Sequence, residues 1–218
     1  MKVAVFLILG LLSALASPAA ADCVAERDPE ITVAITEAPL RTDRSFSRMA
    51  LAQRVGGVAA GWHALGLTEV SLETAIDYGF VIVPAGKAYC ATFSKVAVTV
   101  TLNLVVNLAS ELRRGTCANQ AVEEHEQQHV DLERRTLPLE KMRVEAAVAG
   151  AARHGASGKT IETATEALQQ TMSDIIGDAL QSVSDEKNRK HATFDTRAEY
   201  KKLSLRCSSD EIRALLGE

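Results

Sequence analysis

The sequence predicts an α+β fold, in which an N-terminal mostly antiparallel sheet is followed by a C-terminal bundle of three helices. Two observations carry that reading. Between Ile31 and Val106 apolar residues recur at every second position in several runs, the period of a half-buried strand. Beyond Arg114-Gly115-Thr116-Cys117 the spacing lengthens to three and four, the period of an amphipathic helix, and it stays so along most of the remaining chain. Strands come first and helices after, without the strand-helix alternation of a parallel α/β sheet.

Ahead of the first strand, MKVAVFLILGLLSALASPAAAD has the make-up of a secretory signal peptide: one charge at Lys2, an apolar core from Val3 to Leu15, and Ala19-Ala20-Ala21 before Asp22. Cleavage after Ala21 is expected, leaving residues 22–218 as a single domain in the periplasm or outside the cell. Asp22 stands where acylation of Cys23 would need a small residue. No later run approaches the roughly 20 apolar residues of a spanning helix, so no membrane anchor is expected. Cys23, Cys90, Cys117 and Cys207 read as two disulfides in an oxidising compartment, with three pairings open. Without a CxxC pair they do not form a cysteine zinc site.

Taken in order, Ile31, Val33 and Ile35 alternate with Thr32 and Ala34, and Val70, Leu72 and Ile76 keep one parity with Thr74 between them. Ser45 to Ala64 has apolar residues at mixed spacing and is open between helix and loop. Tyr78–Val83 and Ala88–Phe93 flank Pro84-Ala85-Gly86 and read as a hairpin. The clearest strand follows, with Val96, Val98, Val100, Leu102, Leu104 and Val106 on one face and Ala97, Thr99, Thr101, Asn103 and Asn107 on the other. Asn119 is a candidate cap for a helix through Ala121, Val122, His125, His129 and Leu132, which Pro138 kinks or ends. A second helix is expected from Leu139 to Arg153. A third begins near Thr160, with an apolar stripe through Ile161, Ala164, Leu168, Met172, Ile175, Ala179 and Val183.

The chain carries 24 basic against 28 acidic residues, with one Trp, three Tyr and five Phe. That mildly acidic balance gives no basic face for nucleic acid or an anionic membrane surface. Gly158-Lys159-Thr160 is similar to the end of a phosphate-binding loop, but Arg153 stands where the loop needs glycine.

His125-Glu126-Gln127-Gln128-His129 is an HExxH run inside a helical segment. Residues four apart on a helix project from one side, so both imidazoles can reach one zinc ion while Glu126 points beside it as general base. A catalytic zinc has a third protein ligand and an open position. The continuation HExxHxxGxxH fails here, since the chain reads Val130-Asp131-Leu132-Glu133-Arg134-Arg135. His191-Ala192-Thr193-Phe194-Asp195 has the spacing of a third ligand followed four positions on by an acidic residue, with histidine where gluzincins carry glutamate. Two assignments stay open: His191 as the ligand with Asp195 holding a motif histidine, or Asp195 as the ligand itself. At 100° per residue His191 falls at the edge of the third stripe and Asp195 beyond it, which calls for a kink or helix end near Asn188. His154, Glu145 and Glu162 are further candidates. Tyr200 is open between a donor to the reaction's oxyanion and an edge-of-core residue.

The strand, the Gly115-Thr116-Cys117 segment, the HEQQHVDL run and the stretch from His191 to Cys207 together resemble a bacterial family of exported, gluzincin-like zinc-dependent proteases, over the region from Tyr89 to Cys207. The resemblance implies hydrolysis of peptide or amide bonds with His125 and His129 on zinc and Glu126 as base. The resemblance supplies no substrate; zinc-activated water with Glu126 as base points to a protein or peptide, peptidoglycan stem peptides included. Two other readings stay open: a zinc-binding protein without turnover, and an envelope scaffold that uses its amphipathic helices to meet a partner.

Overall fold

The computed structural model describes residues 23–57 and 64–216. The signal expected over residues 1–21 lies outside them. In chain order the elements are β1 (Glu30–Glu37), β2 (Arg41–Asp43), α1 (Arg48–Arg54), β3 (Gly66–Ala85), β4 (Ala88–Leu108), α2 (Cys117–Ala151), β5 (Ala156–Gly158), α3 (Ile161–Phe194), α4 (Arg197–Arg206) and α5 (Ser209–Leu216). The fold is α+β, as the order of periodicities predicts.

β3 and β4 form one long antiparallel hairpin, and the turn sits at Gly86-Lys87, where Gly86 takes a φ of +66°. Pro84 is still paired, opposite Tyr89. The segments read from sequence as two strands, Ala88–Phe93 and Val96–Val106, are one strand of 21 residues. Gly79 faces Lys95 and Phe80 faces Phe93, so Ser94 is left without a partner as a β-bulge. The extra residue flips the parity. Ala91 and Phe93 before it and Val96, Val98, Val100, Leu102 and Leu104 after it are therefore all buried, although the alternation breaks in the sequence.

β3 takes one edge of β4 along its whole length, and the other edge is shared by β5, β1 and β2 in turn. β1 and β2 run parallel to β4, while β3 and β5 run antiparallel. The buried face of β4 supports two core clusters. Phe93 to Val100 pack with Val144 and Val148 of α2 and with Leu168, Met172 and Ile176 of α3. Leu102 to Leu108 pack with Leu51 of α1 and with Ala118 and Val130 of α2.

The helices expected on either side of Pro138 are a single 35-residue helix, α2, with the proline inside. Pro138 cannot donate to the Arg134 carbonyl. Burial carries the helix through, since one buried stripe runs from Ala118 past the proline to Val148. The N-cap is Thr116, whose side chain accepts from the Asn119 amide; Asn119 sits three residues into the helix and accepts from Arg44. α3 is capped by Thr160, with a reciprocal bond between Thr160 and Thr163.

Disulfides join Cys23 to Cys90 and Cys117 to Cys207. The first ties the segment before β1 to β4, and the second ties the start of α2 to the end of α4. Two disulfides point to an oxidising, extracellular-type compartment. Among the described residues no helix is long and apolar enough to cross a membrane.

Candidate metal centre

α2 and α3 are joined by a short connection and run antiparallel, so each step of four residues down α2 meets a step of four back along α3. His125 stands against Asp195, His129 against His191, and Glu133 against Lys187. At this level both apolar stripes turn polar. On α2 the buried positions become His125, His129, Glu133, Thr136 and Glu140, and on α3 the stripe continues from Val183 into buried Lys187 and half-buried His191.

The innermost group is a triangle. His125 Nε2 lies 3.1 Å from Asp195 Oδ1, His129 Nε2 lies 3.3 Å from the same oxygen, and the two Nε2 atoms are 3.4 Å apart. Ligands about 2.0–2.1 Å from a tetrahedral ion sit about 3.3 Å from one another, so these spacings fit zinc and the imidazole-carboxylate set suits it. Among the described residues, His125, His129 and Asp195 form one group of donors close enough to share an ion. The other combines Glu211 with Cys117 and Cys207, whose sulfurs are bonded to each other.

Asp195 is the C-cap of α3, with φ −87° and ψ 41°. The helix therefore continues through Asn188 and ends at Asp195. Val183, Lys187 and His191 continue inward in steps of four because α2 presents its own polar residues in steps of four. His191 meets His129 through Nδ1 on both rings, at 2.7 Å, on the side of His129 away from the triangle. Its Nε2 lies 2.6 Å from Glu133 Oε1. Behind it, Lys187 Nζ is 2.5 Å from Glu133 Oε2 and 2.6 Å from Glu140 Oε1, with all three side chains buried.

β3 holds Glu126 from the opposite side. Thr68 Oγ1 donates to Glu126 Oε2 at 2.7 Å, and Gly66 lies so close that a Cβ there would be 2.3 Å from Oε1. Burial pushes the Glu126 carboxyl above its ordinary range, outweighing the Thr68 hydrogen bond and the neighbouring histidines. For His129 burial pushes the imidazole down, but the hydrogen bond and charge of Asp195 outweigh it and hold it above its usual value. Burial likewise opposes ionisation of Glu133 and Lys187. Their mutual ion pair, with His191 on one side and Glu140 on the other, wins: Glu133 is held below and Lys187 above the ordinary value.

A cleft of about 1560 Å³ opens onto the centre between β3, α2 and the chain from the end of α3 to α5. Its walls include Thr68, Leu180, Lys201 and Leu215. No family model, curated protein or solved structure matches the chain.

The remaining candidates lie elsewhere. Glu145 pairs with Lys141 on the far half of α2, Glu162 is in the first turn of α3, and His154 bridges to Val24. Tyr200 belongs to α4, and its side chain is outside the described residues. Five residues around the centre escaped the sequence reading: Gly66, Thr68, Glu133, Glu140 and Lys187. Glu133 and Lys187 had a signal, since they extend the four-residue steps His125-His129 and His191-Asp195. Gly66 and Thr68 had none, because only the register of β3 over α2 brings them to Glu126.

Proposed function

We propose that this protein is an exported zinc-dependent hydrolase of peptide or amide bonds, with zinc held by His125, His129 and Asp195 and with Glu126 as general base. The observation that carries the reading is the triangle: two buried imidazole nitrogens and a carboxylate oxygen, from residues some seventy positions apart, converge at tetrahedral-ligand spacing beside a buried glutamate. Asp195 is preferred to His191 as third ligand because its oxygen faces both Nε2 atoms, whereas His191 touches the opposite nitrogen of His129.

Zinc bound there supplies Lewis acidity, polarising a carbonyl and lowering the pKa of water to about 7. Glu126 takes the proton of the attacking water and returns it to the leaving nitrogen. Its burial suits that role, since a carboxylate with a raised pKa is a stronger base. Thr68 fixes one carboxylate oxygen and leaves the other free to accept. Gly66 gives that oxygen room. Three protein donors of this kind are the number a catalytic zinc takes, with water in the fourth position. The signal-like residues 1–21 and the two disulfides support export.

Elemental analysis of the disulfide-intact protein should find about one zinc per chain, lost in His125→Ala. Glu126→Gln should keep the zinc and lose hydrolysis of an unstructured protein substrate. A zinc-free wild type after reconstitution would remove the metal reading, and full turnover in Glu126→Gln would remove Glu126 as the base.

A further inference from the structure

We infer that His191 and Glu133 are positioning residues that fix which nitrogen of His129 carries its proton, and so which lone pair His129 turns toward Asp195 and His125. The inference rests on the zinc reading above.

Bond directions follow from charge, starting at the buried end. Glu133 is an ionised acceptor with Lys187 on one oxygen, so the group meeting its other oxygen at 2.6 Å, His191 Nε2, must donate. With one proton on His191, that proton is on Nε2 and Nδ1 is bare. The 2.7 Å contact between the two Nδ1 atoms then makes His129 the donor. With a metal ion in place of its second proton, His129 would keep the remaining proton on Nδ1 and offer its Nε2 lone pair, and that atom is the corner of the triangle. One carboxylate, two residues removed, thus sets the face His129 offers. A metal-bound histidine ordinarily donates its second N–H directly to a carboxylate or carbonyl. Here a second histidine is inserted between them.

Burial gives the second line of argument. Glu133, Glu140 and Lys187 are 1, 0 and 4 % exposed, in the middle of a helix pair whose other facing residues are mostly apolar. Such a cluster costs desolvation that apolar side chains would avoid, and buried ion pairs are weak contributors to stability. Placed one helical turn behind His129, the cluster keeps Glu133 ionised and immobile under His191. Lys187 itself lies between Glu133 and Glu140.

The test compares zinc affinity by chelator competition in wild type, His191→Phe and His191→Asn. Metal-free thermal unfolding reports on the fold of each. Asparagine places an acceptor oxygen where Nδ1 stood, and phenylalanine places none. His191→Phe should bind zinc about 10- to 100-fold more weakly, and His191→Asn should recover most of that loss. On wild type, nitrogen-15 spectra of the zinc-loaded imidazoles should show the proton on Nδ1 of His129 and on Nε2 of His191. X-ray absorption should count two imidazoles on zinc in both wild type and His191→Asn. Unchanged affinity in His191→Phe, or a proton on Nδ1 of His191, would overturn the inference while leaving a His125-dependent zinc site intact. Three imidazoles falling to two in His191→Asn would make His191 a ligand and overturn it as well. A wild type that binds no zinc, or whose zinc survives His125→Ala, would take down the zinc reading and this inference with it.

Discussion

Gly66 and Glu126 compete for the same space: a Cβ on Gly66 would lie 2.3 Å from Glu126 Oε1 and 2.8 Å from its Cγ and Cδ. The three nearest atoms all belong to the Glu126 side chain, which can move, so Gly66→Ala should fold and displace the carboxylate. Hydrolysis should fall at least tenfold, as for a misplaced catalytic group, with zinc content unchanged. Zinc analysis beside a turnover assay checks this, and undiminished turnover would show that Glu126 has another productive position.

Thr68 supplies the hydrogen bond that holds Glu126 Oε2 and opposes the rise of its pKa. Thr68→Val keeps the shape and removes the donor. The Glu126 pKa should rise further. A base works only when ionised, so activity is lost as pH falls through that pKa, and the acidic limb of the pH profile should move to higher pH. A limb that stays in place or moves down would contradict the geometry.

The sequence made His125, Glu126 and His129 legible because all three sit within one turn and a half of one helix, where spacing alone sets geometry. Asp195 was legible as a candidate only. Whether it or His191 reaches the triangle depends on where α3 ends, and a cap at Asp195 gives no stronger signal than one at Asn188. The bulge at Ser94 hid the continuity of β4 because it breaks the alternation from which strands are read. Pro138 hid the continuity of α2, since a proline usually stops a helix and only tertiary burial on both sides carries this one past it. Gly66 and Thr68 were illegible because strand register over a helix is written in no local pattern.

Glu133 gives a stability signature in acid. Its folded pKa lies below the ordinary 4.5, so the unfolded chain binds its proton first as pH falls. Its contribution is fully present above the ordinary value and is lost as pH drops through the lower folded value. Urea unfolding of the metal-free protein should therefore lose stability across that window, and Glu133→Gln should show a shallower loss there. Equal slopes in the two proteins would mean that the carboxyl titrates alike folded and unfolded.

The bond between Cys117 and Cys207 closes a separation of 90 residues and anchors α4 and α5 against the start of α2. Glu211 of α5 also accepts from the Ala118 amide at 2.7 Å, at the positive end of the α2 dipole. Replacing both cysteines with serine should cost about 2–4 kcal/mol in urea unfolding. A cost near zero would place α4 and α5 outside the cooperative unit.

Lys187 is the only charge partner of Glu140 among the described residues and one of two for Glu133. Lys187→Met fits the apolar stripe of α3 but leaves two buried carboxyls facing each other across it. Breaking such a cluster from one side should cost about 3–5 kcal/mol, because the charges left behind have lost their compensation. Removing the second charge at the same time, in Lys187→Met with Glu140→Leu, leaves Glu133 with His191 alone and should restore most of the loss. Urea unfolding of the single and double variants measures the difference. A single variant as stable as wild type would mean that water reaches this cluster. Recovery in the double variant, together with weakened zinc binding, would separate what the cluster does for the fold from what it does for His129.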